Sequence, residues 1–177
     1  MTGARSVPKI FYLMCGLAFS GKTTLARAIA ERLSLVCVSL DGINAERGLP
    51  PGGEGLPAEQ WERSHAVAEA RLDAAFASGR GAVLDDTGCF RWLRDRYRSV
   101  AGRHGLPTTV VFVDAPIAEI HARIAANARE ARRGGITDAV FARHVAEFEP
   151  PGPDERAVRF TPSDDIDAWI TANLITG

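Results

Sequence analysis

The residues Gly16-Leu17-Ala18-Phe19-Ser20-Gly21-Lys22-Thr23, with Thr24 behind them, carry the spacing G-x-x-x-x-G-K-[ST]. Residue types at that spacing build a loop that holds a phosphate chain. Gly16 and Gly21 permit backbone angles that side chains forbid, so successive N–H groups can point at one anion. Lys22 would reach the β- and γ-phosphates, and the Thr23 hydroxyl would take a place on Mg²⁺. Carboxylates recur further on, at Asp41 and at the pair Asp85-Asp86, which Thr87 follows. Carboxylates suit two tasks beside a phosphate: holding a hard cation and taking a proton from an attacking hydroxyl. Asp85 ends an apolar run, which favours it for the metal. One of Asp85 and Asp86 can equally well cap the next helix.

Chemistry of this kind needs a scaffold, and the sequence supplies one. Apolar, strand-like runs at 10–15, 35–40, 82–85, 108–113 and 157–161 alternate with stretches of helical periodicity. Helices are expected over 25–33, 58–78, 90–104, 117–131, 137–148 and 166–174. Strands that are nearly all apolar and alternate with helices make a parallel sheet covered on both faces. Ligands of such sheets sit at the carboxyl ends of the strands, where the loop, Asp41, Asp85, Asp86 and Thr87 all fall. The expected fold is therefore α/β: a three-layer α/β/α arrangement on a five-stranded parallel sheet, with residues 1–177 as a single domain. The glycine- and proline-rich stretch 48–57 reads as a spacer or a flap.

Composition narrows the partners. The chain has 177 residues, a hydrophobic fraction of 46% and a net charge of −1, which gives no global pull toward nucleic acid or anionic membrane. Cys15, Cys37 and Cys89 have neither metal nor disulfide spacing and read as small buried hydrophobes. With no signal-peptide pattern and no spanning apolar run, a cytoplasmic protein is expected. The sequence is silent on oligomeric state.

The arginines divide into two groups. Arg91, Arg94 and Arg98 share one face of the 90–104 helix and read as solvated there. Arg129 shares a face with Arg132 and Arg133, and Arg123 lies earlier on the same helix. Positive charge on that helix could meet the phosphates that the loop would hold. His65, His104, His121 and His144 read as structural, and Trp61 as core.

The chain resembles the P-loop kinase group that includes polynucleotide kinases, chloramphenicol phosphotransferase and the zeta-toxin kinases. The matching pieces are G-L-A-F-S-G-K-T-T at the loop, S-L-D-G after the second strand and V-L-D-D-T-G after the third. D-A-P before an arginine-rich helix and the segment from Arg129 that ends F-E-P-P complete the match, which spans most of residues 10–151. The resemblance implies ATP and Mg²⁺, a nucleotide-kinase-like fold and a lid over about 123–136. It implies that Asp41 is the base for the acceptor hydroxyl, although Asp41-Gly42 is also a turn signal. Arg123 and Arg129, with Arg132 or Arg133, are implied contacts to ATP; Asp86 and Thr87, next along from Asp85, could touch the acceptor. The expected activity is transfer of the γ-phosphoryl group of ATP to a hydroxyl of a small molecule such as an antibiotic, sugar or nucleoside. A polynucleotide 5′-hydroxyl is the alternative acceptor, less favoured by the charge balance. A nucleotide-binding switch without an acceptor is the alternative from another class.

Overall fold

The computed structural model describes residues 9–50, 55–130 and 135–175. Strands β1 (Phe11–Cys15), β2 (Val36–Ser39), β3 (Ala82–Asp85), β4 (Thr108–Val113) and β5 (Val158–Phe160) form one sheet in the order β2-β3-β1-β4-β5. Every pairing is parallel, and β1 runs between Ala82–Leu84 on one side and Thr108–Phe112 on the other. The fold is the expected three-layer α/β/α sandwich.

Its layers follow from the two-residue period of the strands. Phe11, Leu13, Leu84 and Val38 meet α3 (Ala58–Ala77) and α4 (Arg91–Arg103) through Leu72, Phe76, Tyr97 and Val100. Tyr12, Met14, Val83 and Val111 face the other way, onto Leu25 and Ile29 of α1 (Lys22–Leu33) and Trp169 and Ile170 of α7 (Ile166–Ile170). All five residues of β1 are buried, as a central strand covered on both faces requires. A third cluster joins Phe19 of the loop to Ile120 of α5 (Ile117–Glu130) and Phe141 of α6 (Asp138–Glu147). Thr137 caps α6 by accepting from the Val140 N–H, as its residue type suggested.

Four expectations change. Asp41-Gly42 is not a turn: Leu40–Glu46 forms a further helix, α2, because the Ser39 hydroxyl accepts from the Gly42 N–H and Asp41 sits in the first turn. The closing helix is α-helical only to Ile170 and then widens into a π-helix over Thr171–Ile175. Cys37 is exposed, while Cys15 is buried as expected.

Arg94 corrects the reading of a solvated arginine face. Its side chain is 1% exposed, as is that of Glu155, and the two pair at 2.6 Å. Arg94 also donates to the carbonyls of Gly88 and Glu149, while Arg98 bonds Glu155 from the same side. Burial pushes the Glu155 carboxyl up, but the Arg94, Arg98 and Gly152 N–H hydrogen bonds outweigh it and hold it at about 2. The segment 149–155 is thereby fixed beneath the loop that follows β3.

Candidate active site

The loop between β1 and α1 is strained where a phosphate cradle needs it to be. Gly16 has φ +152° and a Cβ there would stand 2.7 Å from the Val113 carbonyl, so only glycine fits. Gly21 has φ +104°, and Phe19 holds φ +61°, a left-handed conformation that is costly for an aromatic residue. The Ser20 hydroxyl is buried without a hydrogen-bond partner among the described residues. Such a group calls for a ligand. Lys22, 7% exposed, folds back to donate to the Leu17 carbonyl at 2.7 Å.

Beside the loop, the Thr23 hydroxyl donates to Asp85 Oδ1 at 3.3 Å. Burial pushes the Asp85 carboxyl up; Thr23 and Lys22 draw it back, and Asp41 and Asp86 add to the rise. A buried carboxylate next to a hydroxyl suits a hard cation, so the residues present fit Mg²⁺. Among the described residues no cluster of three or more His, Cys, Asp or Glu forms a metal cage. Two protein oxygens with phosphates and water completing the shell is the usual arrangement for this ion.

The loop opens into a cavity of ≈ 1570 Å³ lined by Ala18–Thr24, Asp41, Asp85, Asp86 and Thr87. Gly16, behind the loop, receives its anchor from the segment after β3: its N–H donates to the Thr87 carbonyl at 2.9 Å. Leu17 supplies the carbonyl that Lys22 engages and packs against the Phe19 cluster. Asp41 is exposed at the start of α2, and Asp86 Oδ2 is buried without a partner among the described residues.

Arg123 lines the cavity and donates to the loop carbonyls of Phe19 (3.1 Å) and Ser20 (2.6 Å), with Glu119 as its ion-pair partner. Arg129 is exposed on the last turn of α5 and does not line the cavity. Arg132 and Arg133 lie outside the described residues, as does the rest of 131–134 within the expected lid.

Two histidines belong to the site and were missed. His144 of α6 accepts a hydrogen bond at Nε2 from the Ala18 N–H, an amide of the phosphate loop, at 3.3 Å. His65 of α3 shares a 2.7 Å hydrogen bond between Nδ1 and the Tyr97 hydroxyl, and Trp61 stacks on it at 6.0 Å. Trp61 is half-buried in the cavity wall rather than in the core. Burial holds both histidines below the ordinary imidazole range; for His144, Lys22 adds to the effect. A lone histidine on a helix carries no sequence signal for a contact made 126 residues away. His104 and His121 stay structural: one pairs with Asp73, the other packs edge-on against Phe141.

The family profile of an AAA domain, AAA_33, matches residues 11–151. The chain belongs to that family. No curated protein sequence matches it. Its fold is shared with a gluconokinase from Sinorhizobium meliloti at TM-score 0.68 and 18% identity, with 97% of this chain and 92% of that one covered. The APS kinase of Mycobacterium tuberculosis, solved with AMPPNP and APS, gives TM-score 0.64 at 19% identity over 92% and 94% of the chains. Kti12 of Chaetomium thermophilum, solved with ADP-AlF3, gives 0.73 at 18% identity over 92% and 94%. The AAA family protein thus has the fold of small P-loop kinases. No helix among its described residues is long and apolar enough to cross a membrane.

Proposed function

We propose that this AAA family protein is an ATP- and Mg²⁺-dependent kinase that phosphorylates a hydroxyl of a small molecule. The carrying observation is the convergence on one cavity of the phosphate loop, the Thr23–Asp85 pair and the exposed carboxylate of Asp41. The shared fold with a gluconokinase and an APS kinase supports the reading.

The loop amides and Lys22 bind the β- and γ-phosphates, with the Lys22 ammonium leaving the Leu17 carbonyl to do so. Thr23 and Asp85 would hold Mg²⁺, which would supply positive charge beside the phosphates. Asp41 orients the acceptor hydroxyl and takes its proton. The acceptor oxygen bonds to the γ-phosphorus as the bond from that phosphorus to the β,γ-bridging oxygen breaks, and ADP leaves. Arg123 steadies the loop from its carbonyl side and lines the cavity that would take the nucleotide. Arg129 would join them when the 123–136 lid closes. Residues 1–177 act as one catalytic unit, in the cytoplasm.

Calorimetric titration with AMPPNP and Mg²⁺, followed by an acceptor screen read as ADP release, tests the proposal. Lys22→Ala is expected to lose nucleotide binding, and Asp41→Asn to keep binding but lose at least about 10²-fold in transfer. Transfer by Asp41→Asn at the wild-type rate removes Asp41 as the base. Binding without transfer to any alcohol overturns the kinase.

A further inference from the structure

The half of the cavity away from the nucleotide loop is acidic and aromatic. It is walled by α2, α3 and the first turn of α4. Trp61 stacks on His65, and Phe90 stacks on Trp92 at 6.0 Å with the rings 13° from parallel. Trp92 is 57% exposed at the rim, an unusual setting for a tryptophan unless something covers it. The carboxylates on this side are Asp41, Asp86 and Glu62.

The opposite side is mixed in charge, with Glu130, Glu147 and Asp164 lining it beside the cations. Among the described residues the cations lining the cavity are Lys22, Arg123 and Arg143, which stand on the phosphate loop, α5 and α6. Arginines near the acidic side are committed elsewhere: Arg96 to Glu62 and Glu69, Arg47 to Gln60 and Ser64. An anionic acceptor would lie beside Asp41 and Asp86 with no cation among the described residues on that side to meet it. A cationic acceptor gains from both the carboxylates and the aromatic faces. The buried, partnerless Asp86 Oδ2 asks for a donor. Tyr97 engages His65 at Nδ1, which leaves Nε2 as the ring nitrogen for a bound molecule.

Resting on the kinase reading, we propose that the acceptor is an aromatic amino alcohol. Its ring lies against Trp61 and Trp92, its ammonium bonds Asp86, and its hydroxyl is presented to Asp41. Glu62 is neutralised by Arg96, which leaves Asp86 and Asp41 to set the charge preference.

Three probes with one skeleton test this on the full chain with ATP and Mg²⁺: 2-amino-1-phenylethanol, 1-phenylethane-1,2-diol and mandelate. Ethanolamine and gluconate serve as ring-free controls. ADP release gives kcat/KM, and phosphorus NMR verifies the phosphoester. The cation is expected to exceed the diol by about tenfold, the diol to exceed mandelate by at least as much, and ethanolamine to fall about tenfold below its phenyl counterpart. Asp86→Asn is expected to erase the advantage of the cation over the diol. Trp61→Ala is expected to erase the advantage of the ring, and Trp61→Phe to restore most of it. AMPPNP titration of each variant reports separately on the fold and the nucleotide site. Preference for mandelate or gluconate, or equal rates for ethanolamine and its phenyl counterpart, overturns the proposal and leaves the kinase standing. No phosphoester from any hydroxyl compound while AMPPNP still binds overturns both.

Discussion

Two regions of this protein are rich in arginine and use it in opposite ways. On α4, Arg91, Arg94, Arg96 and Arg98 all end on carboxylates, and Arg94 and Glu155 are buried together. Across the cavity, Arg123 spends its guanidinium largely on loop carbonyls, while Arg129 and Arg143 make no ion pair among the described residues. The first set is bound to side-chain carboxylates, while Arg123 is bound mainly to backbone carbonyls of the phosphate loop. Partner type, more than arginine content or helical face, separates them.

The sharpest way to break this contrast is Arg94→Ala. It takes from buried Glu155 its fully buried cation, leaving only Arg98 at the edge, and removes the guanidinium donor from the Gly88 and Glu149 carbonyls. A loss of about 3–5 kcal/mol in urea unfolding is expected. A loss below about 1 kcal/mol would place Arg94 with the surface arginines. Arg123→Ala should do the reverse. Its side chain is 36% exposed, so stability should fall by no more than about 1 kcal/mol, while transfer falls about 10²-fold.

Titration sharpens the contrast. The folded Glu155 carboxyl, at about 2, lies well below the ordinary 4.5, so its contribution is full above 4.5 and is lost as pH falls from there toward 2. His65 and His144 are held below 6.5, so the unfolded chain takes up protons first and stability begins to fall as pH drops through 6.5. Urea midpoints from pH 7.5 to 3 should show two separate declines. The double variant His65→Gln, His144→Gln should flatten the upper one alone. The smallest effect belongs to Arg63→Ala, whose pair with Glu59 is largely exposed: its unfolding midpoint should match the wild type.

The sheet and the phosphate loop were legible because local rules dictate both. Continuous apolar runs such as Phe11–Cys15 can only be central strands here, and G-x-x-x-x-G-K-T needs its glycines for backbone reasons visible at Gly16. Helix α2 was missed although Ser39 was a readable cap; the turn signal of Asp41-Gly42 masked it, and the cap prevailed. Arg94 and His144 were illegible for another reason. Their partners arrive from segments 55 to 126 residues away, and nothing local records that return. The phosphate loop was written in local sequence, while its support was written in tertiary packing.

The strand order has a consequence for how the chain is made. β1 emerges first from the ribosome, yet β2, the next strand out, is not its neighbour. Its first sheet partner begins at Ala82, about 70 residues later, which at ~5–20 residues per second is roughly 4–14 s of synthesis. Through that interval α1 is the nascent chain's own cover for Tyr12 and Met14, while Phe11 and Leu13 await α3 and α4. A nascent chain of this protein therefore presents a bare apolar strand before its phosphate loop can meet the end of β3, and slowing translation before Ala82 should lengthen its dependence on chaperones.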